Sequence, residues 1–442
     1  MKLKLKPVVA SLVLLGLMSP AFARDHSAKT ISTQEAIVDQ NSLINEVCSK
    51  NWFDRVTIGG VASAVGIIGN SDLPGMFNEV GNGSDLYINN ANLLVDVSLS
   101  KWSEATLDLG YLGAPSPWTR YTDNAATDYS VNHRVFVNEF FVTFDNFAQY
   151  PIYAKVGKAF VPFGEYNDQT VPWQIESPAQ MIAMTNGPTA IVGVASDFGF
   201  YASIFGLKGD TSPFNSSTSN VRNFGGKIGY RDNLSRFESP NTKLHVNLSY
   251  IRNIWDSQFF TPNDDSPYGV SGVGSSYQRD PVGGLGVHAD MSYKAFSAYG
   301  DWVGALKNMA DAYSLSQSYA NSSKFWGANV NAAYAFETLA HDSSIAAGVQ
   351  FSGNGQWFID NNIGYVSASK GGKFKYLIPK WRGLVEYKVN LFKYTDLSLI
   401  YAYSKSYDFP ASSSSSDSDQ TTTKVLENRH TNVGMARLGI RF

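Results

Sequence analysis

The chain has 442 residues, of which 14% are aromatic and only 17% charged, against about 25% charge in an ordinary soluble domain. A formal charge of −3 leaves no basic excess, which excludes a nucleic-acid or anionic-surface role. A single cysteine, Cys48, excludes an intramolecular disulfide, and a mean hydropathy below zero excludes a bundle of membrane helices.

In chain order, Met1–Ala23 reads as a secretory signal. Lys2, Lys4 and Lys6 form a basic leader, Val8–Met18 an apolar centre too short to span a bilayer, and Ala21-Phe22-Ala23 a small-residue cleavage site. Loss of those lysines takes the formal charge from −3 to −6. Cys48 lies well past that site and is read as a bystander rather than a lipid anchor. Residues 24–55 form a periplasmic segment, helical in part. Ser32 with Glu35 makes a capping-box pattern, and Ile37, Leu43, Ile44 and Val47 share a face.

From Val56 the chain becomes a succession of strand-like runs, and residues 56–442 form one unit. The runs are Val56–Gly69, Leu86–Ser100, Glu104–Gly113, Arg134–Phe144, Ile152–Val161, Thr189–Ser196, Gly199–Lys208 and Arg222–Arg231. They continue with Thr242–Asn253, Gly284–Tyr293, Ala295–Leu306, Phe325–Phe336, Ser343–Gly353, Lys380–Leu391, Thr395–Ser404 and His430–Phe442. Most are close to the ~10 residues that cross a bilayer at a tilt, and their number, about 16, is even. The connections alternate. Long ones such as 114–133, 162–188 and 405–429 are separated by turns of a few residues, with somewhat longer ones at Asp232–Asn241 and Glu337–Asp342. Short periplasmic turns and long outer loops are the mark of a transmembrane barrel.

Within the runs the polarity alternates with period two. Leu244, Val246, Leu248 and Tyr250 face lipid, and Lys243, His245, Asn247 and Ser249 face the lumen. Val385, Tyr387 and Val389 oppose Arg382, Glu386 and Lys388 in the same way. The last strand, VGMARLGIRF, ends on Phe442, an interfacial aromatic where barrels carry their girdle. The fold class is therefore all-β: a transmembrane antiparallel barrel of about 16 strands with a short N-terminal periplasmic helical segment, set in outer-membrane lipid.

Residues for chemistry are sparse, and no catalytic set is assigned. His288 and Asp290 share an inner face and read as pore-lining polar residues. Six dispersed histidines and one cysteine show no metal-ligand spacing, so no cofactor or metal is expected. Lys155, delivered to the lumen, and Lys158, near the outer rim, are with Lys227, His288, Arg382 and Lys388 the pore-lining candidates for meeting a solute. In the connection after Val161, Pro162 ends a strand, and Phe163, Tyr166 and Trp173, with Met181, Ile182 and Met184, suit packing against an inner wall. These are the candidate constriction-loop residues.

The segment Tyr153–Tyr166, YAKVGKAFVPFGEY, resembles the siderophore-porin family typified by the legiobactin receptor, which carries a comparable G-x-x-[FY]-V-P-F-G element. The G-K-x-x-x-P-F-G element resembles phosphate-selective porins more loosely. The first resemblance is specific over about Val135–Tyr166 and architectural elsewhere, and the chain has little of the N-terminal heptad repeat of many such relatives. It implies siderophore-linked iron uptake, with a ferric siderophore or small anionic solute as partner. The C-terminal phenylalanine of such barrels implies recognition of Phe442 by the barrel-assembly machinery. The stretch before the first strand is too short for the folded plug of 22-stranded transporters, so uptake is expected by facilitated diffusion. A general or anion-preferring porin, and an adhesin that displays loops such as 255–268, are the alternatives. A homo-oligomer is also compatible with the sequence.

Overall fold

The computed structural model describes residues 55–71, 81–112, 134–146, 150–165, 177–196, 198–209, 221–235, 242–257, 281–309, 324–355, 379–407, 409–412, 423–426 and 430–441. The signal, the N-terminal segment, Tyr166, Trp173 and Phe442 lie outside the described residues.

The first strands are β1 (Val56–Ser71), β2 (Gly81–Ser100), β3 (Ser103–Leu112), β4 (Arg134–Asp145), β5 (Ile152–Phe160), β6 (Asn186–Ala195), β7 (Phe198–Leu207) and β8 (Asn223–Ser235). Then follow β9 (Thr242–Ile251), β10 (Gly284–Tyr293), β11 (Phe296–Ala305), β12 (Trp326–Thr338), β13 (His341–Gly353), β14 (Pro379–Phe392) and β15 (Thr395–Ser406). A separate two-stranded ribbon, β16 (Phe409–Ser412) with β17 (Thr423–Leu426), precedes β18 (His430–Arg441). Each strand of the main sheet pairs antiparallel with its chain neighbour, and β18 pairs with both β15 and β1, so 16 strands close into a barrel. Every run read from the sequence is a wall strand.

The boundaries differ where polar residues continue a ladder. The connection read at Glu337–Asp342 shrinks to the two-residue turn Leu339-Ala340, because Thr338 still pairs with His341. Both turn residues are left-handed, with φ of 52° and 60°, the geometry that matches strand twist in a tight hairpin. Likewise β8 runs on to Ser235, and β2 begins at Gly81 in register with Ser71.

Burial alternates along the strands, as β6 and β9 show. What is exposed is apolar: Ile68, Ile204, Ile228 and Val330 stand more than half exposed around the outside. What is buried is often polar, including His245, Asn247, Asn329, Gln350, Arg382 and Arg437. This is the reverse of a soluble protein and follows from lipid being the outer solvent. Closure leaves no strand edge in the wall. The chain is thus an outer-membrane β-barrel of the bacterial type.

Candidate functional site

The described limbs of loop 3, the connection after β5, are 161–165 and 177–185, and both lie inside the barrel. The base of the loop is closed by a backbone bond from Val161 N to Thr185 O at 3.0 Å. Beyond Pro162 the chain turns at Gly164, whose φ of 68° favours glycine and whose added Cβ would strike Ala183. Phe163 is fully buried, and Gly164 N donates to Ser249 Oγ of β9 at 2.8 Å. The return limb holds a short helix, α1 (Pro178–Ala183), with proline at its start and Ser177 as N-cap. Ser177 and Gln180 bond reciprocally at 3.1 Å, so the two helix-end donors are satisfied inside the protein. All six residues of α1 are buried.

The wall is shaped to receive this loop. On β12, a Cβ at Gly327 would lie 2.5 Å from the Pro178 carbonyl carbon and 2.6 Å from Ala179 N. On β10, a Cβ at Gly286 would lie 3.2 Å from the Gly164 Cα. Around them Phe163, Met181 and Ile182 join Phe205, Leu207, Ile251, Val303 and Phe325 in one apolar cluster inside the barrel. The start of the next long loop braces it. A 3-10 turn at Ile254–Asp256 buries Trp255 completely, and Ser257 Oγ donates to Met181 O at 3.1 Å.

A polar network lies beside this cluster. Glu165 Oε2 accepts from Lys227 Nζ of β8 at 2.9 Å and from Asn247 Nδ2 at 3.1 Å. Burial opposes the charge on Glu165, but Lys227 overrides it and holds the carboxyl well below the usual carboxylate range. Below Glu165, Asp290 Oδ2 lies 2.9 Å from His245 Nδ1 and 2.8 Å from His288 Nε2. Asp301 of β11 bonds His288 Nδ1, and Tyr201 of β7 lies 2.7 Å from His245 Nε2.

The sequence-derived candidates separate. Lys227 and His288 meet in that network. Lys155 faces inward but is buried, with its Nζ 3.6 Å above the Phe141 ring. It lies within the electrostatic reach of Glu139 and Asp96, so it neutralises wall acids rather than standing free. Lys158 corrects the expectation of a pore-lining residue. Three residues after the inward Lys155, it falls by plain alternation on the outer face with its exposed partner Phe140, and its Nζ donates to Val137 O at 2.7 Å. Arg382 and Lys388 lie on β14, outside that network. Arg382 Nε bonds Ser404 Oγ at 3.0 Å and its NH1 bonds Gln350 Oε1 at 2.9 Å; Lys388 lies 3.9 Å from Asp396.

That part of the wall has its own charge pattern. Asp396 takes Arg437 at 2.5 Å and Arg441 at 3.5 Å, so arginines and Lys388 prevail on β14 to β18. On β2 to β4 the acids prevail: Asp108 accepts from Asn92 at 3.2 Å and Asn138 at 2.7 Å, Asp96 from Thr106 at 2.7 Å, and Glu139 from Phe160 N at 2.9 Å. Sequence reasoning missed Glu165, His245 and Asp301. Each is joined to its partner by strand register or loop docking, and spacing along the chain carries no trace of either.

No family model matches the chain. It is 24% identical over 300 residues to a UPF0422 protein of Coxiella burnetii (strain RSA 493 / Nine Mile phase I), a match covering 66% of this chain. The match spans only 56% of that curated relative's length. Among solved structures it resembles the outer membrane channel DcaP of Acinetobacter baumannii (13% identity, TM-score 0.49, 88% of this chain and 97% of that one). It also resembles an anion-selective porin from Comamonas acidovorans (10%, TM-score 0.47, 88% and 99%) and OprB of Pseudomonas putida (10%, TM-score 0.49, 88% and 95%). Likeness at this level assigns neither a solute nor a mechanism.

Proposed function

We propose that the protein is a solute channel of the outer membrane, narrowed from within by loop 3 and working by facilitated diffusion. The observation that carries this reading is the docking of loop 3 on the inner wall through Phe163, Gly164 and Glu165. A loop with only a display role has no use for a wall cut to fit it at Gly286 and Gly327. The contrast between an acid-rich panel on β2–β4 and a base-rich panel on β14–β18 also supports a polar or charged solute, since a confined low-dielectric lumen focuses such a field.

The finer reading is passage of a ferric siderophore, and it rests on the resemblance over Val135–Tyr166. A general or anion-preferring porin is the second reading, favoured by Arg382, Lys388 and Arg437 on one panel. Burial of Trp255 speaks against loop display, the adhesin alternative, for the part of that loop described here. Phe442 as a signal for the assembly machinery, and a homo-oligomer, belong to the same proposal.

The refolded protein should conduct ions in planar bilayers with no energy source. A ferric polycarboxylate siderophore should block that current at concentrations where citrate or phosphate does not. Block by the simple anions alone would select the second reading, and an inserted barrel with no conductance would end the channel reading.

A further inference from the structure

The polar network under loop 3 has a geometry that solute passage does not use. His245 and His288 are diagonal neighbours on the inner wall, because β9 and β10 pair Asn247 with His288 and His245 with Asp290. Their ring centroids are 4.9 Å apart. Each ring is held at one nitrogen, His245 Nε2 by the Tyr201 hydroxyl and His288 Nδ1 by Asp301. The other two nitrogens converge on a single oxygen, Asp290 Oδ2, at 2.9 and 2.8 Å. Glu165 approaches the two rings from loop 3, and one ligand atom each of Glu165, His245 and His288 lie within 4.8 Å of one another, a group that does not include Asp290. Both bonds to Glu165, from Lys227 and Asn247, fall on Oε2, which leaves Oε1 as the ligand atom.

We infer that this cluster is a binding site for one divalent first-row transition ion, with His245 Nδ1, His288 Nε2 and Asp290 from the wall and Glu165 from loop 3. Two imidazoles and two carboxylates form a nitrogen–oxygen set of the kind that holds Zn²⁺ and its neighbours. Bonds of about 2.0–2.1 Å in a tetrahedron put ligand atoms about 3.3 Å apart, so Asp290 must draw back from the point where the two rings converge and Glu165 must close in on it. Tyr201 and Asp301 stand where outer partners orient metal-bound histidines. Arg231 NH2, 3.3 Å from His245 Nδ1, must give way to the ion.

With both rings neutral, Glu165, Asp290 and Asp301 face Lys227 and Arg231, a net charge of −1 that a divalent ion takes to +1 and a proton on His288 takes to zero. That proton is the competing source of positive charge, and the experiment separates the two. A bound ion would tie loop 3 to β9 and β10.

The test is a Co²⁺ titration of the tag-free, chelator-treated, refolded full chain in detergent, followed by visible absorption. Stoichiometric binding with a four-coordinate spectrum, displaced by Zn²⁺, is the expected result. His245→Ala and His288→Ala should abolish it, Asp301→Asn should weaken it 10–100-fold, and His341→Ala, at an exposed turn, should leave it intact. If the alanine variants fail to fold, Asp290→Asn provides the same loss with little change of shape. Absence of stoichiometric binding in the folded, heat-modifiable wild type would overturn the site and assign the missing charge to a proton. Binding retained in the His245→Ala/His288→Ala double variant would overturn it equally. The readout is independent of conductance, so a barrel that conducts but binds no metal refutes the site and leaves the channel standing.

Discussion

The two halves of the inner wall are built from the same alternating strands and meet the same lipid, yet they carry different side chains inward. Along β6–β12 the inner positions next to loop 3 include small and apolar ones, among them Gly286, Gly327, Val303, Ala305, Phe205, Leu207 and Ile251, beside the polar Lys227, Asn247 and Ser249 that bond it. Along β13–β15, β18 and β1–β4 they include long polar residues paired within the wall, such as Arg382 with Gln350, Arg437 with Asp396 and Asp108 with Asn138. Buried apolar residues also cluster on β1, β14, β15 and β18, so strand pattern sets the barrel while the close seats at Gly286 and Gly327 mark where loop 3 docks. Apolar surface against wall glycines gives loop 3 a dry seat, and the Lys227–Glu165 pair fixes its position on it.

The largest way to break the contrast is to unpair the docked half. Glu165→Gln leaves Lys227 buried without its partner, which should cost about 3–5 kcal/mol. The check is the temperature at which heat-modifiable mobility is lost, and adding Lys227→Met should restore most of the difference. If Glu165→Gln alone is neutral, the pair does not seat the loop. The other half is probed from outside. Leu438→Arg on the lipid face of β18 should cost about 2–4 kcal/mol at mid-depth and reduce the assembled fraction. An assembly defect at Phe442 larger than that would point to recognition by the assembly machinery, because lipid energetics alone rank an interfacial site lower.

A smaller effect compares an inner-wall glycine under loop 3 with a lipid-facing glycine of the other half. Gly327→Ala presses on Pro178 and Ala179 and should cost about 1–3 kcal/mol, with raised conductance as α1 shifts. Gly383→Ala on β14 meets its nearest heavy atom at 3.8 Å and should stay within about 0.5 kcal/mol. Equal effects at the two positions would remove the distinction. Smallest of all, Lys158→Gln should leave ion selectivity unchanged, since that side chain shares the outward face of Phe140; a shift in reversal potential would contradict its placement.

Much of this was legible in the sequence. Strand identity and facing follow from period two, so that Leu244, Val246, Leu248 and Tyr250 stand outside as expected. The apolar content of Met181, Ile182 and Met184 marked loop 3 as a segment able to pack on the wall. The fate of individual charges was not legible. Lys155 reads as a free lumen lysine until the sheet brings Phe141, Glu139 and Asp96 around it. Lys158 is the exception: it is an odd number of residues from Lys155, so alternation itself sends it to the outer face, away from any solute path. His245, His288 and Asp301 come together only through register, and Glu165 only through docking. Contacts between residues so far apart in the chain depend on how strands are staggered around the barrel, which local pattern does not encode.

The central claim is that loop 3 sits inside the barrel and limits passage. Its most direct test is single-channel conductance of the wild type beside a variant lacking Gln169–Thr185, refolded and inserted in the same bilayers. The docked loop predicts a measurable wild-type current and a clearly larger unitary conductance in the deletion. Equal conductance in two barrels that both insert and remain heat-modifiable would contradict it.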